Sequence, residues 1–141
     1  MIILRGIPGS GKSHLAKLIK DKEVAEGGSA PRILSIDDYF MSEVDETKKC
    51  EKTGRNVSVR KIVYEFDAGS EDNYMHYLVK SFKKNLTDGM FNFIIVDCNC
   101  DSLNYFHMFS DAAKTQGFSV KFQGKLLNWN NIKNLISCRY M

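Results

Sequence analysis

The sequence predicts an α/β fold in three layers, with a parallel β-sheet between helices. Short apolar runs alternate along the chain with amphipathic stretches of helical periodicity. This alternation is the pattern of strands and crossover helices in a parallel sheet. A glycine-rich segment also joins the first apolar run to the first helical stretch, where phosphate-binding α/β proteins place an anion site.

Four strands and three helices follow in order. Strands are predicted at residues 1–4, 32–36, 93–97 and 118–122, and helices at residues 11–22, 70–88 and 101–116. The run at 93–97 is almost continuously apolar, as an interior parallel strand should be. Residues 42–62 are polar and rich in both charges, so we expect an exposed, mobile excursion there rather than core.

The composition limits the class of protein and its partners. A chain of 141 residues with 43% hydrophobic and 26% charged residues is typical of one soluble globular domain. The net charge of +3 is too small by itself to indicate nucleic acid. No run approaches the roughly 18 apolar residues of a membrane span, and residues 1–30 show no signal peptide. We therefore expect an intracellular protein with no membrane partner and four reduced cysteines.

The segment from Gly6 to Ser13 reads GIPGSGKS and fits the phosphate-binding pattern G-x-x-x-x-G-K-[ST] at every fixed position. In such a loop the backbone N–H groups and the helix dipole hold phosphate oxygens. Lys12 would reach the β- and γ-phosphates, and the Ser13 hydroxyl would bind Mg²⁺. A glycine-rich turn matching by chance is the alternative, and both flanks argue against it. The predicted nucleotide-binding residues are Gly6, Pro8, Gly9, Ser10, Gly11, Lys12, Ser13 and His14.

Carboxylates follow two of the predicted strands. Asp37 and Asp38 come after the second strand, and Asp97 ends the third. Ends of parallel strands share one edge, where ligands bind. Phosphoryl transfer needs a carboxylate for the metal and another for the acceptor's proton. Asp97 is therefore predicted to bind Mg²⁺ with Ser13, and Asp37 joins Lys12 as a candidate catalytic residue. As an alternative, both aspartates following the second strand cap the next turn.

The nucleotide and its acceptor are less well defined. A guanine-reading [NT]-K-x-D segment is missing, which favours ATP over GTP. Asn99 would contact substrate or metal-bound water, or it is an ordinary turn residue. Basic residues in the excursion would steer a phosphorylated or nucleic-acid substrate. Acidic residues lie between them, so a solvated loop is the alternative.

A combination of segments resembles the P-loop domain of the YLP-motif-containing proteins. These segments are residues 1–13, 34–40 and 93–99, together with 81–84 and 112–118. The similarity covers about residues 1–122. More distantly, the chain is similar to the polynucleotide-kinase-like group, which includes the N-terminal domain of the 2′,3′-cyclic-nucleotide phosphodiesterase of myelin.

The resemblance implies a P-loop NTPase/kinase-like fold with the first strand central in the sheet. It implies ATP and Mg²⁺ as ligands and a nuclear location. It also implies that the chain is part of a longer nuclear regulatory protein, from a family linked to telomere maintenance. Protein partners of the phosphatase type are implied in the same way.

The end of the chain departs from the resemblance. Related domains continue into an arginine-bearing lid helix and a fifth strand, whereas Arg139 is the only arginine after Arg60. We expect residues 1–122 to form a nucleoside-triphosphate-binding domain that lacks the lid and last strand, and residues 123–141 to form a divergent C-terminal tail. Two functions stay open: a P-loop phosphotransferase acting on a nucleotide or polynucleotide hydroxyl, and a catalytically inactive module that binds protein or nucleic acid.

Overall fold

A parallel four-stranded sheet forms the centre of the protein in a computed structural model, which describes residues 1–49, 55–99 and 102–123. In chain order the elements are β1 (Ile2–Leu4), α1 (Lys12–Ala25), β2 (Arg32–Ser35), a 3-10 turn (Asp37–Phe40), β3 (Met41–Lys49), β4 (Asn56–Tyr64), α2 (Glu71–Asp88), β5 (Ile94–Asp97), α3 (Leu103–Thr115) and β6 (Lys121–Gln123). The predicted α/β class with a parallel sheet is confirmed.

The strand order is β2-β5-β1-β6, with every pair parallel. The first strand therefore lies inside the sheet, as the resemblance implied. Leu4 and Ser35 both pair with Asp97, so β1, β2 and β5 end at the same level. This register brings the segments that follow these three strands to one edge of the sheet.

Two apolar clusters, one on each face of the sheet, pack helices against it and so produce the three layers. Side chains alternate across a strand, so Ile3 faces one layer while Ile2 and Leu4 face the other. The first cluster packs α2 and α3 on the sheet, with Phe82 and Phe109 edge-to-face at 5.1 Å between ring centroids. The second cluster packs α1 on the opposite face. Burial on both faces explains why the central strands are almost wholly apolar.

The predicted excursion at residues 42–62 has a regular structure in its described part. The exposure is confirmed, but β3 and β4 form an antiparallel ribbon, whose register runs from Met41 opposite Tyr64 to Lys49 opposite Asn56. Cross-strand charge pairs contribute, because Arg60 lies 3.9 Å from carboxylate oxygens of both Glu43 and Asp45. The regular pairing of this exposed segment is a feature that the sequence analysis did not predict.

The predicted tail, residues 123–141, lies outside the described residues apart from Gln123, which ends β6. The expected loss of the lid and of a last strand falls on the same residues. Within the described ranges, no helix has the length and apolar character needed to cross a membrane.

Candidate functional site

The loop between β1 and α1 has a backbone that only glycines suit. Gly9 and Gly11 have φ angles of 77° and 84°, in the left-handed region that other residues rarely adopt. Gly11 also caps the N-terminus of α1, and its carbonyl accepts the Leu15 N–H at 2.9 Å. At Gly6, a Cβ atom would come within 2.8 Å of the Ser10 hydroxyl oxygen. Of the two fixed glycines of the sequence pattern, Gly11 is therefore required by its backbone angle, whereas a side chain at Gly6 would need the Ser10 side chain to move.

Lys12 bends back over this loop. Its ammonium donates hydrogen bonds to the Gly6 and Ile7 carbonyl oxygens, both at 2.9 Å. The side chain is half-buried and lines a cleft beside the loop. A fixed positive charge thus lies at the helix N-terminus, where an anion is already favoured.

Ser13 and Asp97 meet across the ends of β1 and β5. The Ser13 hydroxyl donates a hydrogen bond of 2.5 Å to Oδ2 of Asp97, which is only 3% exposed. Burial raises the pKa of the Asp97 carboxyl, and the negative charges of Asp37 and Asp38 add to this. The Ser13 hydrogen bond and the Lys12 charge act in the opposite direction. The carboxylate therefore lies where a cation would relieve the cost of its burial.

The donor set at this point suits Mg²⁺ held together with a substrate. A hydroxyl and a carboxylate are hard oxygen ligands, and Mg²⁺ usually takes only one or two protein ligands beside phosphates and water. The described residues contain no group of three or more His, Cys, Asp or Glu side chains that could hold a metal. Ser13 and Asp97 therefore fit a nucleotide-bound Mg²⁺ better than an independent metal centre.

An open cleft of about 720 Å³ joins these groups. Its lining contains the following described residues: Pro8, Gly9, Gly11, Lys12, Ser13, His14, Ile36, Asp37, Phe40, Tyr64, Phe66, Glu71, Asp97, Cys98 and Asn99. The structure thus brings together most of the predicted site. Gly6 and Ser10 belong to the same loop without lining the cleft, and Asp38 is exposed outside it.

Asp37 begins the 3-10 turn after β2 and is half-buried. Its backbone N–H donates to the Ser35 hydroxyl at 3.3 Å, and its Oδ1 accepts from the Tyr64 hydroxyl at 3.3 Å. No side-chain hydrogen bond caps the turn. The capping alternative is therefore not supported, and Asp37 remains a carboxylate at the cleft wall.

The sequence analysis missed an aromatic and acidic wall of the cleft. Phe40, Tyr64, Phe66 and Glu71 line this part of the cleft. The Phe40 ring centroid lies 5.1 Å from that of Phe66 and 5.9 Å from that of Tyr64. One signal was present in the sequence: aromatic residues flank the polar excursion on both sides, which indicates that its two ends return to one place.

Cys98 lines the cleft one residue beyond Asp97 and is disulfide-bonded. The expectation of reduced cysteines was therefore wrong at this position. The other three cysteines lie outside the described residues.

No family model matches the chain. YLP motif-containing protein 1 from Rattus norvegicus, Mus musculus and Homo sapiens is in each case 50% identical to it over 120 residues. The matched region is 85% of this chain and 9% of the rat and mouse proteins or 6% of the human one. The chain therefore spans less than a tenth of the length of these relatives.

Among solved structures, a cysteine-to-alanine mutant of the APS kinase CysC from Mycobacterium tuberculosis is similar, with a TM-score of 0.62 and 13% sequence identity. The similarity covers 99% of this chain and 96% of that one. At this identity the likeness concerns the fold, and it confirms the predicted P-loop kinase-like architecture.

Proposed function

The chain carries the P-loop kinase-like domain of the YLP motif-containing protein family, and from this premise we propose that it binds ATP with Mg²⁺ and transfers a phosphoryl group to a hydroxyl. One observation supports this proposal above all. Lys12, Ser13 and Asp97 share a cleft with a further carboxylate, Asp37, although three different strand ends supply them. Phosphoryl transfer needs this combination of a cation, two metal ligands and a proton acceptor.

Each residue has a role that follows from its position. The loop N–H groups and Lys12 would hold the phosphates, for which Lys12 exchanges its carbonyl partners at Gly6 and Ile7. Ser13 and Asp97 would hold Mg²⁺, which supplies charge neutralisation on the phosphates when bound. In this proposal Asp37 orients the acceptor hydroxyl and takes its proton.

The proposed reaction is a direct transfer of one phosphoryl group from ATP to the acceptor. The acceptor oxygen forms a bond to the γ-phosphorus while the bond from that phosphorus to its bridging oxygen breaks. ADP is the leaving group, and the hydroxyl proton passes to Asp37. The phosphate loop and Asp37 line the same cleft, which allows donor and acceptor to meet within it.

One observation favours a second candidate, a module that holds nucleotide without rapid transfer. None of the described residues that line the cleft is an arginine. Arginines that neutralise the transferring phosphoryl group contribute about 10³–10⁵-fold in rate. In this second function the same site binds Mg·ATP, and the bound nucleotide regulates contacts with a protein or nucleic acid.

The family resemblance alone supports three further proposals. These are a nuclear location, a role in telomere maintenance and protein partners of the phosphatase type. Imaging the tagged full-length protein would test the first of them, and exclusion from the nucleus would contradict it.

The function is tested by equilibrium binding of a fluorescent ATP analogue with and without Mg²⁺. We expect Lys12→Ala to weaken binding about tenfold or more, while Lys17→Ala, an exposed lysine on the same helix, serves as the matched control. Equal affinity in all variants would contradict the proposal.

Transfer is then measured with γ-labelled ATP and a panel of 5′-hydroxyl acceptors. Labelled acceptor would support the enzyme, whereas nucleotide binding without labelling would favour the regulatory module. Affinity for oligonucleotides that falls steeply with salt, whether or not ATP is present, would instead indicate a nucleic-acid-binding domain.

A further inference from the structure

The two ends of the cleft differ in charge. Lys12 and His14 belong to the phosphate-loop end. The other, aromatic end is the part where Phe40 packs against Tyr64 and Phe66, with the carboxylates of Asp37 and Glu71 beside Tyr64. Among the described residues of the lining, Lys12 is the only lysine or arginine. Because Lys12 belongs to the loop, the described part of the lining gives the aromatic end no fixed positive charge of its own.

The same end of the cleft is aromatic. Phe40 is 5% exposed and anchors the wall, while Tyr64 and Phe66 remain 49% and 57% exposed. Two aromatic rings left open beside a cleft form a surface on which a planar ring can stack. The Tyr64 hydroxyl donates to Oδ1 of Asp37, so this surface adjoins the candidate proton acceptor directly.

We propose that this aromatic end of the cleft binds a nucleoside: a planar ring with a free hydroxyl and no phosphate of its own. The ring stacks against Phe66 and Tyr64, and the hydroxyl lies at Asp37. The inference rests on the proposed function, since it assigns the other end of the cleft to Mg·ATP.

The described charges disfavour a phosphorylated acceptor at this position. A phosphate on the acceptor would lie near Asp37 and Glu71, and repulsion over several ångströms in a partly solvated site weakens binding by about tenfold. Two basic side chains of the neighbouring ribbon are already paired with acids. Arg60 lies 3.9 Å from both Glu43 and Asp45, and Lys48 lies 3.5 Å from Glu46.

Tyr64 links the ring surface to the hydroxyl position. Burial raises the pKa of Tyr64, and the neighbouring Asp37 and Glu71 charges raise it further. The phenol therefore stays a hydrogen-bond donor at neutral pH and leaves the second oxygen of Asp37 for an acceptor hydroxyl.

The test is calorimetric titration of adenosine and adenosine 3′-monophosphate into the full chain, with Mg²⁺ and a non-hydrolysable ATP analogue present. We expect adenosine to bind about tenfold more tightly than its 3′-phosphate. Phe66→Leu should weaken adenosine binding about tenfold, because base stacking is lost. Tyr77→Leu, an exposed aromatic residue outside the cleft lining, is the matched control.

A second variant tests the charge argument independently of the rings. Glu71→Lys should tighten binding of adenosine 3′-monophosphate about tenfold and reduce or invert the preference for adenosine. Equal or tighter binding of the 3′-phosphate by the wild type would overturn the inference. It would also be overturned if Phe66→Leu weakened the ATP analogue as much as adenosine, since the rings would then hold the donor.

The same titrations distinguish a failure of the proposed function from a failure of the nucleoside subsite. Each titration is repeated without the ATP analogue, and the analogue is titrated alone. Adenosine binding without analogue binding would overturn the proposed function and support the nucleoside subsite. Analogue binding without adenosine binding would overturn the subsite alone.

Discussion

Ser13 and Asp97 lie 84 positions apart in the chain and are joined by a hydrogen bond of 2.5 Å. The contact exists because β1 and β5 are neighbours with Leu4 paired to Asp97, while α1 starts one loop beyond β1. Two oxygen atoms are thereby held together before any ligand arrives. Such preorganisation reduces what a magnesium ion must rearrange on binding.

Removing the Ser13 hydroxyl should weaken the binding of Mg·ATP. We expect Ser13→Ala to lower the affinity about 10- to 100-fold, because one metal ligand and the partner that orients Asp97 are both lost. Calorimetric titration at several Mg²⁺ concentrations measures the change. Ser29→Ala, at an exposed loop serine, is the control, and unchanged affinity for Ser13→Ala would contradict the metal assignment.

Asp97 should make the stability of the free protein depend on pH. Its pKa is raised in the folded state, so its contribution to stability is complete below the ordinary aspartate pKa of about 3.9 and is lost as pH rises through the higher folded pKa. Without Mg²⁺, the isosteric variant Asp97→Asn should therefore gain stability relative to wild type as pH rises through this range.

Urea unfolding of both proteins between pH 4 and pH 8 measures this difference. Saturating Mg·ATP should restore the relative stability of the wild type, because the ion binds the charged carboxylate. A stability difference that is independent of pH would show that Asp97 titrates as an ordinary exposed carboxyl.

A side chain at position 11 should destabilise the protein. Its φ of 84° places an alanine in the left-handed region, so Gly11→Ala should lower the free energy of unfolding by about 1–2 kcal/mol. Gly69→Ala is the matched control, because its nearest neighbour is an Asp67 side-chain oxygen at an ordinary 3.4 Å. Chemical denaturation should show a change within about 0.5 kcal/mol for the control. Equal effects would contradict the assigned loop geometry.

Substitution of Asp37 should affect the rate of phosphoryl transfer but not the affinity for ATP. We expect Asp37→Asn to retain ATP affinity but to lower the rate of phosphoryl transfer about 10²–10⁴-fold, the usual contribution of a general base. The neighbouring Asp38→Asn is the control, since Asp38 is exposed outside the cleft lining. A similar loss of rate in both variants would point to their shared negative charge rather than to one proton acceptor.

The central sheet and its helices could be predicted from sequence, because burial places apolar residues at regular intervals along each strand and helix. Apolar strands covered on both faces and helices with one buried stripe leave clear patterns. The ribbon was missed because both of its faces are exposed, so Glu43, Lys48 and Arg60 occupy positions that a buried strand would fill with apolar residues. Val57 and Val59 alternate with polar residues, and this alternation was the remaining sequence signal for a strand.

The candidate site likewise has a part with a clear sequence pattern and a part without one. Lys12 and Ser13 belong to a local motif, and Asp37 and Asp97 follow strands whose parallel order sets their common edge. Their placement in one cleft could therefore be predicted. The wall around Phe66 depends on where the chain returns after the ribbon. That return is fixed by the pairing of β3 with β4, for which the sequence holds only weak signals.

The ribbon has a consequence for self-association. In the described part of the chain, β3 and β4 pair only with each other, and an open strand edge is a template for another chain. β3 carries Glu43, Asp45 and Glu46 followed by Lys48 and Lys49, so charged side chains of both signs flank its open edge. Docking of a second strand would have to remove water from these charged side chains, which protects the protein from aggregation while the edge remains open to solvent.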